Sequence, residues 1–214
     1  MKSKKTFSCL ILIISPFFFG CEPLPGQNKN NASASSISLH VGNEKYFIID
    51  TKESVVAWKG SSVEGVHTGY VDISKGELMI ENGRLVGGTV EVDMNTIEDN
   101  NHGRDNNLIK HLKSPDFFDA AKFPQITFKS KSITKIDDKK YKLTGDLTMH
   151  GVTKQVNLDL TLNGVGKDMR TQKPIAGFKV TGTINRNDFG VGHMPAAVVS
   201  EEIAIRANGE FGQI

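Results

Sequence analysis

Cysteine is almost absent from this chain of 214 residues, which contains two cysteines, Cys9 and Cys21. Both lie in or directly after an N-terminal stretch that has the composition of a removable signal. If that stretch is cleaved before Cys21 and Cys21 is acylated, the mature protein has no free thiol. Disulfide bonds and cysteine catalysis are then excluded from the mature protein.

A strong charge of one sign is also lacking. The whole chain has 26 lysines and arginines against 24 aspartates and glutamates, but three of the lysines lie in the first 20 residues. Their removal leaves 23 basic residues, so the mature chain carries about one negative charge. Basic clusters interleaved with aromatic residues are missing as well. The composition therefore argues against nucleic acid as a partner.

The motifs of common hydrolases and zinc enzymes are missing too. No two histidines have the i, i+4 spacing of a helical zinc site, and no Gly-x-Ser-x-Gly sequence occurs. For the remaining histidines and aspartates that could act in catalysis, turn and helix-cap roles are favoured. These residues are His67, His102, His111, His150, His193, Asp105, Asp116 and Asp119. We therefore expect no enzyme activity, no catalytic residue, no metal and no cofactor, and keep a metal-dependent hydrolase as an alternative.

The first 20 residues are typical of a secretory signal peptide. Three lysines near the start precede an apolar run from Phe7 to Phe19, which is shorter than the roughly 20 residues of a membrane-spanning helix. The ending Phe18-Phe19-Gly20-Cys21 resembles a bacterial lipobox, in which cleavage before the cysteine is followed by its acylation. The two phenylalanines depart from the usual lipobox, so plain secretion stays open. We expect Cys21 to be the site of lipid attachment in a periplasmic or outer-membrane-anchored bacterial lipoprotein.

Residues 21–45 are rich in proline, glycine, asparagine, serine and alanine. Such a composition buries too little apolar surface to offset the entropy of ordering, so it predicts a flexible linker. A coil of about 22 residues has a root-mean-square span of roughly 25 Å. The rest of the chain, residues 46–214, has the length of one ordinary domain.

The domain alternates apolar and polar residues along most of its length, as half-buried strands do. The clearest examples are Tyr141 to Met149 and Val156 to Leu162. We predict eight or nine antiparallel strands, with His67 to Ile73 and Glu77 to Ile80 as separate strands. Many consecutive strands together with 21 glycines predict an all-β fold, either an up-and-down barrel or a sandwich.

One helix is predicted, from Asn106 to Lys113, with Asp105 as its N-cap. It should end at Ser114-Pro115, because proline disfavours helical dihedral angles in the preceding residue. The helix belongs to a long connection between strands, from Ile97 to Pro124. We therefore expect it to lie near one end of a barrel.

Four segments, in this order and across most of the domain, resemble the YceI-like family. They are His111-Leu-Lys-Ser-Pro-Asp-Phe-Phe-Asp119, Lys122-Phe-Pro-Gln-Ile-Thr-Phe-Lys-Ser130, Gly145-Asp-Leu-Thr-Met-His-Gly-Val-Thr-Lys154 and Gly182-Thr-Ile-Asn-Arg-Asn-Asp-Phe-Gly190. The resemblance implies a secreted bacterial protein with a lipocalin-like antiparallel up-and-down barrel of about eight strands. It also implies an apolar tunnel that holds a long polyisoprenoid chain. The sequence departs from the family pattern at residues 106–110 and at Val66 to Tyr70.

The alternation alone does not distinguish a filled barrel from a hollow one, since eight strands enclose either packed side chains or one small ligand. Glycines at the inward positions Gly145 and Gly182 favour free volume, although they could instead relieve strain in a coiled sheet. With the resemblance, we expect a cavity that binds an isoprenoid lipid, polyprenyl or quinone-like. The side chains expected to line it are Trp58, Phe128, Leu147, Met149, Leu158, Leu160, Phe178, Val180 and Ile184.

Arg186 and Asp188 stand at the end of an apolar strand. They could pair with each other across the end of the sheet, or contact the polar head group of a lipid. A different function, an envelope stress or assembly module whose lipid is incidental, would suit the predicted anchor and linker equally well. Whether the domain forms a homodimer is left open by the sequence.

Overall fold

Eight antiparallel strands form a closed ring in the computed structural model of the chain, which describes residues 44–82 and 84–213. The predicted signal peptide, Cys21 and residues 22–43 of the predicted linker lie outside the described residues. The first strand already begins at Glu44, so the last two residues of the predicted linker belong to the folded part. The strands are β1 Glu44–Ile49, β2 Val55–Ser62, β3 Gly65–Glu81, β4 Arg84–Asp93, β5 Glu98–Asp99, β6 Gln125–Lys135, β7 Lys140–Met149, β8 Val152–Lys167, β9 Pro174–Asn185 and β10 Glu202–Gln213, and the helix α1 is Asn107–Lys113.

The barrel consists of β2, β3, β4, β6, β7, β8, β9 and β10, each paired with the next, and β10 closes the ring by pairing with β2. β1 takes the same position in the ring as β2, because it also lies between β3 and β10. The two-residue strand β5 pairs with β3 outside the ring. Within the ring of eight, each strand pairs with the next one along the chain, which confirms the predicted antiparallel up-and-down barrel.

The connections define two ends of the barrel. At the upper end lie the β2–β3 and β7–β8 turns and the long connections from β4 to β6 and from β9 to β10. At the lower end lie the β3–β4, β6–β7 and β8–β9 turns and the start of β1. The turns at the lower end are short, whereas the two longest connections lie at the upper end.

β3 is one strand of 17 residues, so the prediction of two strands in this region is wrong. Its pairing with β4 shifts register between Ile73 and Lys75. The shift accommodates the polar residues Ser74 and Lys75 without reversing the chain. A bulge of this kind interrupts the apolar alternation and resembles a turn in the sequence.

The helix α1 has the predicted extent within one residue but a different N-cap. The side chain of Asn106 accepts a hydrogen bond from the N–H of Ile109 at 3.0 Å, so Asn106 and not Asp105 caps the helix. Asp105 forms an exposed ion pair with Lys110 instead, at 2.8 Å. The helix ends at Lys113, directly before the predicted Ser114-Pro115 boundary.

The apolar side of α1 faces the barrel interior at its upper end. Ile109 is 1% exposed, and Leu112 is buried beside it in the main hydrophobic core. This confirms the expectation that the single predicted helix lies near a barrel end. None of the helices in the described part of the chain is long and apolar enough to cross a bilayer.

Candidate ligand cavity

A cavity of about 500 Å³ occupies the interior of the barrel. Ligand pockets in proteins commonly measure ~300–1,000 Å³. The structure places all the sequence-predicted lining residues on its wall, namely Trp58, Phe128, Leu147, Met149, Leu158, Leu160, Phe178, Val180 and Ile184. Their position follows from the alternation of the strands, since residues two apart share a face. That these side chains bind a lipid remains a prediction.

Aromatic rings narrow the lower part of the cavity. The ring centroids of Phe178 in β9 and Phe211 in β10 are 4.6 Å apart, and both side chains are 2% exposed. Leu160 in β8 is equally buried and also contributes to the wall. These three side chains therefore form part of the apolar wall in the lower half of the barrel.

The inward glycines do not create that volume, contrary to the expectation from the sequence. A Cβ atom on Gly145 would come within 2.6 Å of the ring of Phe128, and one on Gly182 would collide with the side chain of Leu158. The space beside each glycine is thus filled by a large neighbour. The glycines make room for these side chains, and the cavity arises elsewhere in the barrel.

Residues outside the strands complete the wall at the upper end. Leu108 and Leu112 of α1 line the cavity, as do Phe117 and Phe118 in the segment that follows the helix. The rings of the two phenylalanines meet edge to face, with centroids 5.2 Å apart. Sequence analysis did not include these four residues among those expected to line the cavity.

The cavity reaches solvent at the upper end, because several lining residues there are exposed. These residues are Ser61, Val63, Glu64, Met194 and Val198. They come from the β2–β3 turn and from the connection between β9 and β10. The two segments are joined by backbone hydrogen bonds from Val63 N–H to Val198 carbonyl oxygen at 3.0 Å and from Ser200 N–H to Ser61 carbonyl oxygen at 2.8 Å.

Arg186 fixes the connection that forms one side of this mouth. The residue is 0% exposed. Its five N–H groups are directed at five main-chain carbonyl oxygens and one side-chain amide oxygen, all within the same connection. The acceptors are Asn187 Oδ1 and the carbonyl oxygens of Val191, Gly192, Met194, Val199 and Ser200.

This arrangement differs from both roles predicted for Arg186 and Asp188, which were an ion pair with each other and contact with a lipid head group. No ion pair joins the two within the described ranges, and Asp188 is exposed outside the cavity wall. Arg186 is adjacent to the cavity, but its donors are already bound to the protein. It therefore positions the mouth and is not available to a lipid head group.

Polar groups that do face the upper cavity include Ser62, His67 and His111. Ser62 Oγ lies 3.3 Å from His67 Nε2. The ring of His111 packs against Phe117, with centroids 5.8 Å apart. These hydroxyl and imidazole groups can exchange hydrogen bonds with a polar atom at the mouth, and sequence analysis had considered the two histidines only as weak catalytic candidates.

Two other candidates for catalysis, His150 and Asp119, have structural roles. His150 adopts a positive φ of 52° in the β7–β8 turn, and its Nδ1 lies 3.2 Å from the carbonyl oxygen of Phe189. Asp119 also has a positive φ, and its main-chain carbonyl accepts the N–H groups of Lys122 and Phe123. Across residues 44–82 and 84–213, no group of three or more histidine, cysteine, aspartate or glutamate side chains is arranged to hold a metal ion.

Asp99 and His102 form a pair near the upper end, outside the cavity. Asp99 Oδ1 is 2.9 Å from His102 Nδ1, and it also accepts the N–H groups of Asn101 and His102. Burial alone would raise the pKa of the Asp99 carboxyl group. The hydrogen bonds from His102 and the two N–H groups outweigh burial and hold this pKa below its ordinary value.

Known proteins resemble both the sequence and the fold. A UPF0312 protein from Pseudomonas putida is 38% identical over 144 residues, which cover 65% of this chain and 72% of the relative. The crystal structure of BcnA from Burkholderia cenocepacia superposes with a TM-score of 0.65 at 21% identity, over 76% of this chain and 98% of BcnA. A domain from Saccharophagus degradans, described as polyisoprenoid binding, superposes with a TM-score of 0.57 at 12% identity, over 79% of this chain and 99% of that domain.

The model of the YceI-like domain matches residues 47–211. This range includes the whole closed barrel except the last two residues of β10. The four sequence segments that resemble this family lie within the match. Their residues form the end of α1 and the turn after it, the first half of β6, the β7–β8 hairpin, and the end of β9 with the start of the connection to β10 that contains Arg186. The chain belongs to the YceI-like family.

Proposed function

We propose that the protein binds one long isoprenoid lipid, polyprenyl or quinone-like, in the barrel cavity and holds or carries it at the bacterial cell envelope. The observation that supports this most is a cavity whose wall is almost entirely apolar and which reaches solvent at the upper end, beside the two mouth segments. The protein acts as a binding protein and not as an enzyme.

The chemistry of the wall suits a hydrocarbon chain. Burial of apolar surface contributes ~25 cal/mol per Å², so an isoprenoid gains affinity from many weak contacts along its length. Methionine adapts to an irregular chain, and Met149 lies on the wall beside Leu147 and Phe128. The polar groups of Ser62, His67 and His111 are near the mouth, where a quinone ring or a terminal hydroxyl would lie if the tail points downward.

The domain from Saccharophagus degradans supports the ligand class, because that protein is described as polyisoprenoid binding and has the same fold. The envelope location follows from the signal-like N-terminus and the lipobox-like ending before Cys21. Mass spectrometry of the protein from membrane fractions would identify acyl chains on Cys21. A mature N-terminus without acyl chains would leave the cavity function in place but remove the anchor.

The chain offers a direct optical test of binding, because Trp58 is its single tryptophan and lines the cavity. Titration with a long-chain quinone should quench the emission of Trp58, and a polyprenyl alcohol should reverse the quenching by competition. Native mass spectrometry of the purified protein should also detect a co-purifying lipid whose mass identifies it. Absence of any co-purifying lipid, together with no uptake of added quinone or prenyl alcohol, would refute the proposal.

Two variants of β9 separate cavity binding from binding to the outer surface. Val180→Phe adds a ring inside the cavity, whereas Thr183→Phe adds the same ring on the exposed outer face. We expect the first to weaken quinone binding at least about tenfold, because the added ring takes the space of several chain carbons. The second should bind quinone like the original protein.

A further inference from the structure

Exposed apolar residues are concentrated around the mouth of the cavity. We define the mouth rim as Val63, Val66 and the segment 194–198, which reads Met-Pro-Ala-Ala-Val. Every residue of the rim is exposed, and the exposed fractions are 72% for Val63, 59% for Val66, and 39% for both Met194 and Val198. Exposed apolar patches of this kind on a folded domain mark contacts with other molecules.

The rim is one continuous surface with the cavity. Val63, Met194 and Val198 belong both to the rim and to the cavity wall. The hydrogen bond between Val63 and Val198 holds the two parts of the rim together, and the isolated bridge between Ser62 and Val199 extends this contact. Apolar side chains therefore extend from the outside of the barrel into its interior at this end.

Charge is sparse on this surface. Residues 193–200 contain no lysine, arginine, aspartate or glutamate, and Glu64 is the single charged residue of the β2–β3 turn between Ser61 and Val66. The proline and the two alanines give the segment small apolar side chains. Such a surface matches the boundary between head groups and acyl chains of an uncharged bilayer, and it lacks the basic residues that would select anionic lipids.

We propose that the mouth rim inserts into the surface of a lipid bilayer, so that a lipid moves between bilayer and cavity without crossing water. This inference rests on the proposed function, because an apolar ligand is what makes a continuous apolar path useful. The occupant of the rim is the bilayer itself. A second copy of the chain or another protein on the same surface is an outcome that the experiment below distinguishes.

The length of the chain before β1 is compatible with this contact. β1 begins at the lower end, opposite the rim, and 22 residues separate Cys21 from Glu44. Fully extended, 22 residues span at most roughly 75 Å. The longest strand of the barrel, β3 with 17 residues, measures roughly 56 Å along its own direction. A barrel attached through Cys21 can therefore reach the same membrane with its upper end.

The experiment compares the chain from residue 21 onward, made without the predicted signal peptide, with two double variants of it, all carrying Cys21→Ala so that neither a signal peptide nor an acyl chain contributes. The rim variant is Val66→Asp with Ala197→Asp, which changes exposed residues that do not line the cavity. The matched control is Ile136→Asp with Met169→Asp, at the lower end, where the side chains are 63% and 93% exposed. Binding to phosphatidylcholine vesicles and the rate of quinone transfer between such vesicles are measured for each protein.

We expect the rim variant to bind vesicles and to transfer quinone at least about tenfold more weakly than the unsubstituted rim, because a carboxylate opposes insertion into acyl chains. The control should behave like the unsubstituted rim. Quinone affinity in vesicle-free solution, measured from Trp58 emission, should be the same for all three.

Three results would overturn the inference. The first is that the protein with the original rim does not bind vesicles. The second is that the rim variant binds vesicles as well as the original does. The third is that the original rim forms a dimer in solution, which the rim variant loses without any change in vesicle binding. If vesicle binding depends on the rim but no quinone is taken up, the proposed function fails while the bilayer contact stands.

Discussion

The indole of Trp58 in β2 occupies the place that a side chain at Gly69 in β3 would need. The two residues are partners across the strands, and a Cβ atom on Gly69 would come within 2.6 Å of the Trp58 atom Cζ2. It would also collide with the main-chain oxygen of Glu98 in β5. Among residues 44–82 and 84–213, Trp58 alone has a buried side-chain polar atom without a hydrogen-bond partner, its Nε1. The position of the indole therefore depends on packing against glycine and not on a hydrogen bond.

This contact predicts that Gly69→Ala lowers the free energy of unfolding by about 3 kcal/mol, near the upper range for overpacking, because a main-chain atom obstructs the new methyl group. Urea denaturation followed by circular dichroism gives the value, and Trp58 emission reports displacement of the ring. Gly212→Ala in β10 is the control, since nothing lies within 4 Å of its added Cβ. Equal stability of the two variants would show that β5 and the Trp58 ring move to accommodate the added methyl group.

The buried guanidinium of Arg186 predicts a large effect on the mouth. Arg186→Met leaves several buried carbonyl oxygens without donors and should lower the free energy of unfolding by about 3–5 kcal/mol. Amide hydrogen exchange should increase most in residues 190–200, whose carbonyls the guanidinium holds. Asp188→Asn, at the neighbouring exposed site, should leave both measurements within error. Unchanged exchange in Arg186→Met would mean that the loop is fixed by its other contacts.

Truncation of a single side chain of the wall should have a modest effect on ligand affinity. Val180→Ala and Ile205→Val each remove part of one contact among many, so each should weaken quinone binding less than about tenfold. The free-energy changes should add in the double variant if the two sites act independently. Quenching of Trp58 emission measures all three affinities. Complete loss of binding in either single variant would indicate that the ligand depends on one local anchor.

The Asp99–His102 pair predicts a loss of stability in acid. Because its pKa is below the ordinary value, the ionised Asp99 carboxylate stabilises the fold at pH values above its unfolded pKa of about 3.9. That contribution is lost as the pH falls through the lower pKa of the folded state. Asp99→Asn should therefore melt at a lower temperature than the original protein at pH 7, and the difference should shrink as the pH falls below about 4. A difference that is independent of pH would assign the effect of Asp99 to packing.

The sequence predicts the strands well where alternation is uninterrupted. β7 and the first part of β8 follow the apolar pattern from Tyr141 to Leu162, and the His150-Gly151 turn falls between them as expected. The pattern fails at the bulge in β3, where an unpaired residue shifts the register without ending the strand. The apolar pattern also underestimates the length of some strands. The lower half of β8 has few apolar residues, so the alternation ends at Leu162 although the strand continues to Lys167.

The same limit applies to the cavity. The nine strand residues on the wall could be predicted because alternation decides which side chains face inward. The contributions of Phe117, Phe118 and Met194 could not, since nothing in a turn or loop pattern fixes a direction. Five of the six acceptors of Arg186 are main-chain carbonyl oxygens, which no residue type in the sequence indicates. The sequence wrongly predicts free volume beside Gly145, because the ring of Phe128 fills that space and its position cannot be read from the alternation.

β10 is the last strand in the chain order, and it pairs with β1, β2 and β9. Before this strand is present, β2 and β9 are open edges and the barrel has no closed interior. Ribosomes and export channels release a chain from its N-terminus onward, so the first nine strands emerge without a cavity to fill. If the proposed lipid binds inside the ring, it can be acquired only after Glu202–Gln213 has been synthesised and docked, so loading follows synthesis of β10 and does not guide folding of the earlier strands.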